Sequence, residues 1–145
     1  MASIQENKAL AFDTATVPYF RDLLLAWHKE HMSKHREERN PRGLIVLWHA
    51  AFMTLYVDFD PLERAIGRDG TDEAAKVSDR VKAWAGSSEA KHCVLHSLFV
   101  LKNLETLPMG LEPAIHVPKS LFYSAVVTYC YITCSPSLHA LPTPS

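Results

Sequence analysis

The stretch G-L-I-V-L-W-H-A-A-F-M-T-L-Y-V-D-F, residues 43 to 59, decides the fold class. Its apolar side chains recur at the period of an α-helix, about 3.6 residues. They form a wide stripe, which is typical of a helix buried at the centre of a domain. We therefore predict a central helix with an inner face of Leu44, Leu47, Trp48, Ala51, Phe52, Leu55 and Tyr56.

Helix-start and helix-end signals continue on the C-terminal side of this stretch. Asp60 as a capping carboxylate, followed by Pro61, predicts the start of a short helix. Gly67 is predicted to end that helix in the left-handed conformation. Thr71 is the predicted cap of the next helix, which Gly86 ends. The inner face of this second helix is predicted to carry Ala74, Val77, Val81 and Trp84.

Two further helices are predicted after Gly86. Ser87 or Ser88 caps the first of them, and a last helix runs from about Pro118 to Thr133. Pro118 suits a first turn, where its missing N–H costs nothing. The helix that follows the two serines is predicted to align Ala90, Val94, Leu98, Leu101 and Leu104 on its inner face.

The two ends of the chain have different patterns. Residues 1–16 form a polar lead-in to a helix that starts with Thr16 near its cap and Pro18 in its first turn. Residues 135–145 contain three prolines and no periodicity, so we predict a disordered tail there.

No segment alternates like a strand, and the predicted fold class is therefore all-α: an irregular array of about five to six helices, part of a larger helical domain. The N-terminal helix is predicted to carry Phe20, Leu23, Leu24 and Trp27 at helical spacing.

Size and charge restrict the function classes. The chain has 145 residues, of which 48% are hydrophobic, enough for the core of one domain or part of one. Its formal net charge of −1 supplies no general attraction for phosphates or anionic lipids. Direct DNA binding or membrane binding by this chain alone is therefore not expected.

Cysteine usage and the N-terminus indicate the compartment. An odd set of three cysteines, Cys93, Cys130 and Cys134, fits buried free thiols in a reducing environment. The N-terminal residues M-A-S-I-Q-E-N-K lack the apolar segment of a signal peptide. The longest apolar run is shorter than the ~20 residues that a membrane span needs. We expect an intracellular, soluble protein.

Histidine spacing raises the possibility of a metal enzyme. His31 and His35, like His92 and His96, are four residues apart and could reach one ion from a helix face. Zinc normally takes three or four ligands, and no third ligand stands at a diagnostic spacing. We expect His92 to face water and His96 to lie on the helix flank, with no metal site. A small metal-dependent helical enzyme that uses His92, His96 and a distant carboxylate is the alternative.

Other catalytic patterns are weaker. The acidic residues around Asp60 lack the alternating oxygen ligands of a calcium loop, and Glu63 and Asp72 suit helix starts. Ser97 and Ser124 fall inside predicted helices, without the strained turn of a nucleophile. A thiol in apolar surroundings is inert because burial raises its pKa. We therefore predict that the chain is not an enzyme and has no catalytic residue.

The heptapeptide E-P-A-I-H-V-P, residues 112 to 118, places a histidine among apolar residues between two prolines. It suits either a helix start or a ligand site with Glu112 and His116 as its polar groups. The residues alone leave both open.

Several segments, taken in order, resemble a known family. They are L-W-H-A-A-F-M-T-L, D-F-D-P-L-E-R-A-I-G-R-D-G, V-K-A-W-A, A-K-H-C-V-L-H and E-P-A-I-H-V-P-K-S-L-F. From about Leu47 to Ile132 the chain resembles the fungal-specific transcription factor domain, also called the middle homology region, and its xylanolytic activator variant. The likeness would make residues 17–134 a partial regulatory domain. It also makes Glu112, Pro113, His116 and Pro118 a structural signature loop, in which Glu112 and His116 bond backbone groups.

The resemblance carries functional expectations. Such domains act in the nucleus on RNA polymerase II transcription, beside a separate zinc module that binds DNA. Three cysteines without a C-x-x-C motif cannot build that module, so no cofactor is expected in this chain. The expected partners are proteins of the transcription machinery, an effector, or a second copy that covers an exposed face. The residues expected to serve as core are Leu44, Trp48, Trp84, Leu98 and Phe122.

Overall fold

The computed structural model describes residues 15–31, 41–107 and 114–136. Within these ranges the chain forms six helices and no strand, which confirms the all-α prediction. Its place in a larger helical domain stays a prediction. The helices are α1 (Thr16–His31), α2 (Pro41–Tyr56), α3 (Phe59–Ala65), α4 (Thr71–Ala85), α5 (Ser88–Glu105) and α6 (Val117–Cys134).

Helix α2 is the central helix, packed chiefly against α5 and also against α1 and α6. Its buried side differs from the predicted one: Val46 and Met53 are fully buried, whereas Leu47 is 45% exposed. The prediction was right for Phe52, which is buried, and wrong for Leu47. Because α2 is apolar on almost every side, its periodicity cannot select the face that neighbouring helices cover. The buried side chains of α2 are Val46, His49, Phe52 and Met53.

Helix α3 starts two residues earlier than predicted. Asp58, not Asp60, is the cap, and its carboxylate accepts a hydrogen bond from the Asp60 N–H at 3.1 Å. Phe59 then becomes the first helical residue, and its buried ring stacks on Tyr123 of α6 at 3.9 Å between centroids. Both aspartates could cap, and the packing of Phe59 selects the first.

The turn from α3 to α4 depends on two glycines. Gly67 has a φ of 99°, as predicted, and this left-handed conformation costs glycine little. Gly70, with a φ of 94°, is the cap position of α4, so Thr71 is the first helical residue and the predicted Thr71 cap is wrong. A glycine cap is favoured here because the backbone must pass through a second positive φ.

Helix α4 buries the predicted face. Val77 and Val81 lie in the core, and Trp84 is half-buried, with its Nε1–H donating to the Tyr56 carbonyl at 3.4 Å. Gly86 ends the helix, as predicted. Ser87 then caps α5 by accepting a hydrogen bond from an N–H of its first turn at 3.2 Å.

Helices α5 and α6 are antiparallel and meet through small side chains. The Ser97 hydroxyl bonds the Thr128 hydroxyl at 3.0 Å, and Pro136, after α6, packs beside Gly86. Leu98 and Phe122, both predicted as core, are instead 52% and 48% exposed. The buried sides of α5 and α6 are formed by other positions, so these two large side chains lie on the outer sides of their helices. The buried residues here include Ala90, Cys93, Ser97 and Val100 of α5 and Ser120, Ser124, Val127 and Cys130 of α6.

The ends of the described part refine the predicted boundaries. Helix α1 buries no residue fully, and Leu23, predicted on its inner face, is 52% exposed because α1 packs mainly against α2 alone. Ser135 is buried at the end of α6, so packing extends into the predicted tail, of which residues 137–145 lie outside the described ranges. No single described helix is long and apolar enough to cross a membrane. Helices α2 and α3 reach the required length and hydropathy only when taken together, and the chain bends by 88° between them.

Candidate functional site

Helices α1, α2 and α5 meet at a cluster of rings that we call the histidine junction. It consists of His28 from α1, Trp48, His49 and Phe52 from α2, and His96 from α5. Trp48 and Phe52 are one helical turn apart, with 4.6 Å between ring centroids, so both can face the neighbouring helices. The junction thus joins three helices through aromatic and imidazole rings.

A hydrogen bond between two imidazoles lies at the centre of the junction. The Nδ1 atoms of His49 and His96 are 2.9 Å apart. One Nδ1–H must donate to the other ring's Nδ1 lone pair, so the accepting ring carries its proton on Nε2. His49 stacks on Phe99 at 5.1 Å, and His96 stacks on Phe52 at 4.7 Å between centroids. These contacts hold both imidazoles in place.

Burial keeps both imidazoles neutral. It is the main cause that lowers the pKa of His49 to about 4, assisted by the nearby His96 and His28. Burial also lowers the pKa of His96 to about 4, assisted by His92. The hydrogen bond itself excludes double protonation, because two imidazolium rings would both be donors and would repel each other.

Trp48 connects α1 to the rest of the domain. Its Nε1–H donates to the Leu24 carbonyl at 2.8 Å, and its ring lies 4.5 Å from the His28 ring between centroids. Since α1 has no fully buried residue, these contacts provide much of its attachment.

His92 and His96, which spacing had paired, make different contacts in the structure. His92 is exposed, as expected, and stacks on Tyr56 at 5.1 Å, whereas His96 is half-buried and bonded to His49. His31 donates from Nδ1 to the Trp27 carbonyl of its own helix at 3.0 Å. His35 lies outside the described residues. Across the ranges that the structure describes, no three His, Cys, Asp or Glu side chains form a group that could hold a metal ion.

His49 is the junction residue that the sequence analysis missed. It is a lone histidine on its helix, so no ligand spacing singled it out. The available signal was its position between Trp48 and Phe52 in an apolar helix, where a polar ring requires a partner. That partner comes from α5, 47 residues further along the chain.

His116 joins two helices that are distant in sequence. Its Nε2–H donates to the Gly43 carbonyl at 2.7 Å, which links the start of α6 to the first turn of α2. This confirms the prediction that His116 bonds a backbone group. Pro118 lies in the first turn of α6, also as predicted. The other two signature residues, Glu112 and Pro113, lie outside the described residues.

The buried cysteines are unreactive by position. The Cys93 thiol donates to the Met53 carbonyl at 3.5 Å, and the Cys130 thiol donates to the Leu62 carbonyl at 3.8 Å. Burial raises the pKa of both thiols to about 12, so neither forms a thiolate near neutral pH. Cys134 is half-buried, and all three cysteines are free, as predicted.

The acidic residues of α3 pair with arginines. Arg68 donates to Asp60 at 2.6 Å and to Glu63 at 3.0 Å, and Arg64 pairs with Glu73 of α4. The hydrogen bond from Arg68 lowers the pKa of the Asp60 carboxyl. These exposed ion pairs connect α3 to the following turn and α4.

An apolar strip on α6 lies at the surface. Phe122 is 48% and Tyr129 is 59% exposed, and together with Ile66 after α3 they line a shallow groove of about 280 Å³. A second depression, of about 100 Å³, lies between Tyr56, Arg80 and Trp84. We call the strip the α6 face; it consists of Leu121, Phe122, Ala125, Tyr129 and Ile132.

Comparison of the chain with models of protein families, with curated proteins and with solved structures finds no match.

Proposed function

We propose that the chain is a non-catalytic, transcription-regulatory domain of the kind found in the fungal middle homology region. It acts in the nucleus through contacts with other proteins or through an effector. DNA is bound by a separate zinc module, and this chain contributes the helical regulatory part. The proposal starts from the ordered segments between Leu47 and Ile132 that resemble that family.

One observation carries the non-catalytic part of the proposal: the imidazoles in the best-formed polar contacts join helices. His49 bonds His96 between α2 and α5, and His116 bonds a carbonyl of α2 from the start of α6. A catalytic base needs a lone pair directed at a substrate. In these contacts each ring directs a nitrogen at the protein itself, which favours a role in packing.

Protein contacts are favoured by the surface. The α6 face presents large apolar side chains, whereas catalytic pockets are concave with a few converging polar groups. Contiguous exposed apolar surface of this kind marks interaction sites. A domain that regulates transcription by recruiting or pairing with proteins needs such a surface.

A reporter assay tests the proposal. The chain is fused to an unrelated DNA-binding module, and transcription from a promoter with that module's site is compared with the module alone. We expect a several-fold change in reporter output, in either direction. A Met53→Asp variant places a charge at a fully buried position and should abolish the change together with the fold. A folded, nuclear fusion with unchanged reporter output would overturn the proposal.

A small metal-dependent enzyme is the second candidate. Two nitrogens that bind one zinc ion tetrahedrally lie about 3.3 Å apart. The His49 and His96 Nδ1 atoms, 2.9 Å apart, would therefore have to separate and lose the proton they share to hold an ion. In this alternative His96 would act with His92 or His49 and a carboxylate from elsewhere. Elemental analysis after dialysis separates the candidates: stoichiometric zinc or iron that His96→Ala removes would favour the enzyme.

A further inference from the structure

We propose that the α6 face pairs with the α6 face of a second copy of this chain, in an antiparallel helix–helix contact. The inference rests on the proposed function, in which regulatory activity runs through protein contacts, and it names the partner and the surface. Four observations support it: spacing, symmetry, charge and area.

The spacing of the face is that of a helix–helix seam. Phe122, Ala125, Tyr129 and Ile132 are separated by three, four and three residues. This alternation keeps side chains on one line along a helix and is the pattern by which helices pack side by side. In α6 the line lies on the side away from the core, since Val127 and Cys130 point inward.

The face is symmetric about its midpoint. Ala125 lies at the centre of α6, with Phe122 on one side and Tyr129 on the other. In an antiparallel pair with its two-fold axis near Ala125, Phe122 of one copy meets Tyr129 of the second copy, and each small alanine lets the backbones approach. Such an isologous contact uses one surface twice, as most homodimers do.

The charges of α6 favour an identical partner. After Lys119, whose ammonium lies 5.3 Å from the Tyr123 ring centroid, α6 contains no charged side chain. Two copies therefore meet without like charges opposite each other, whereas an acidic or basic partner segment would find no complementary charge on the face.

The exposed area suits weak pairing. The α6 face exposes 43% of Leu121, 48% of Phe122, 59% of Tyr129 and 54% of Ile132, and the neighbouring Ile66, which lines the same groove, is 40% exposed. If a large side chain contributes about 150–250 Å², the face and Ile66 together expose roughly 500 Å². Two copies would then bury about 1,000 Å² in total, the lower limit for a specific interface. We expect a reversible dimer with a Kd of roughly tens of micromolar.

Analytical ultracentrifugation of the purified chain, from about 5 to about 500 µM, tests the pairing. The average mass should rise from that of a monomer towards that of a dimer. Ala125→Glu should raise the Kd at least about tenfold, because like charges then face each other at the axis. Leu95→Glu, at a 51% exposed leucine of α5, is the matched control and should leave the Kd unchanged.

A charge-swap experiment keeps the test independent of folding defects. Ala125→Glu and Ala125→Lys should each be monomeric when alone and should associate when mixed, with circular dichroism confirming that each is folded. A wild-type chain that stays monomeric throughout, or a dimer that Leu95→Glu weakens and Ala125→Glu does not, would overturn the proposal. Since this assay uses no promoter, its failure is distinguishable from failure of the reporter experiment.

Discussion

Acidification from pH 7 to pH 5 should destabilise the folded chain through His49 and His96. Burial lowers the pKa of each from an ordinary 6.5 to about 4 in the folded state. Between these values the unfolded chain binds more protons than the folded chain. The part of the free energy of unfolding that depends on these two histidines is therefore fully present above pH 6.5 and decreases as the pH falls towards 4.

The magnitude follows from the size of the pKa shift. A lone histidine with these two pKa values loses about 2 kcal/mol of stability between pH 7 and pH 5. His96 is partly exposed, and solvent screening reduces its share, so we expect about 1–2 kcal/mol per histidine. Together the two amount to about 2–4 kcal/mol, a large fraction of a typical domain's stability.

Urea unfolding at pH 7 and pH 5, followed by tryptophan fluorescence, measures this loss. His96→Asn is the informative variant, because its side-chain amide can still bond the His49 Nδ1 and cannot take up a proton in this range. The variant should lose about half of the pH dependence. His92→Asn, at the exposed histidine one turn earlier, is the matched control and should retain most of the wild-type dependence, because His92 is only the minor cause of the lowered pKa of His96.

The comparison between variants removes the contribution of carboxylates, which titrate equally in all three chains. Equal pH dependence in the wild type and His96→Asn would refute the reasoning, as would stability that does not change between pH 7 and pH 5. A urea m-value that changes between the two pH values would indicate a less compact folded state, and stability would then be compared only where the m-values agree.

Other predictions concern single contacts. His116→Leu removes the donor to the Gly43 carbonyl and should lower the free energy of unfolding by about 1–2 kcal/mol, whereas His116→Gln, which retains an N–H at similar reach, should recover part of it in the same urea assay. Ser87→Ala removes the cap of α5 and should cost about 1 kcal/mol, while Ser88→Ala next to it should cost little; equal losses would contradict the assignment of the cap. Only Cys134 should react with a thiol reagent in the native chain, with the other two thiols reacting after denaturation; fast labelling of all three would contradict their burial.

The ends of the helices were predictable because their signals are local. A left-handed Gly67 and a capping Ser87 act over three or four residues, within one turn of backbone. The cap of the short helix α3, which was predicted wrongly, shows the limit of this rule. Asp58 and Asp60 are equally good caps, and the choice between them follows from the stacking of Phe59 on a ring of α6.

The amino-acid pattern alone thus determined the all-α class and the approximate helix boundaries, and it left the use of His116 open. Tertiary packing decided which faces are buried and which imidazoles meet. Leu98 and Phe122 look like core residues by periodicity, but the neighbouring helices cover other sides of α5 and α6, including the side on which Ser97 bonds Thr128. His49 of α2 bonds His96, which lies on a different helix, α5. Periodicity describes one helix, whereas burial depends on the neighbours that cover it, and that information is not contained in any single segment.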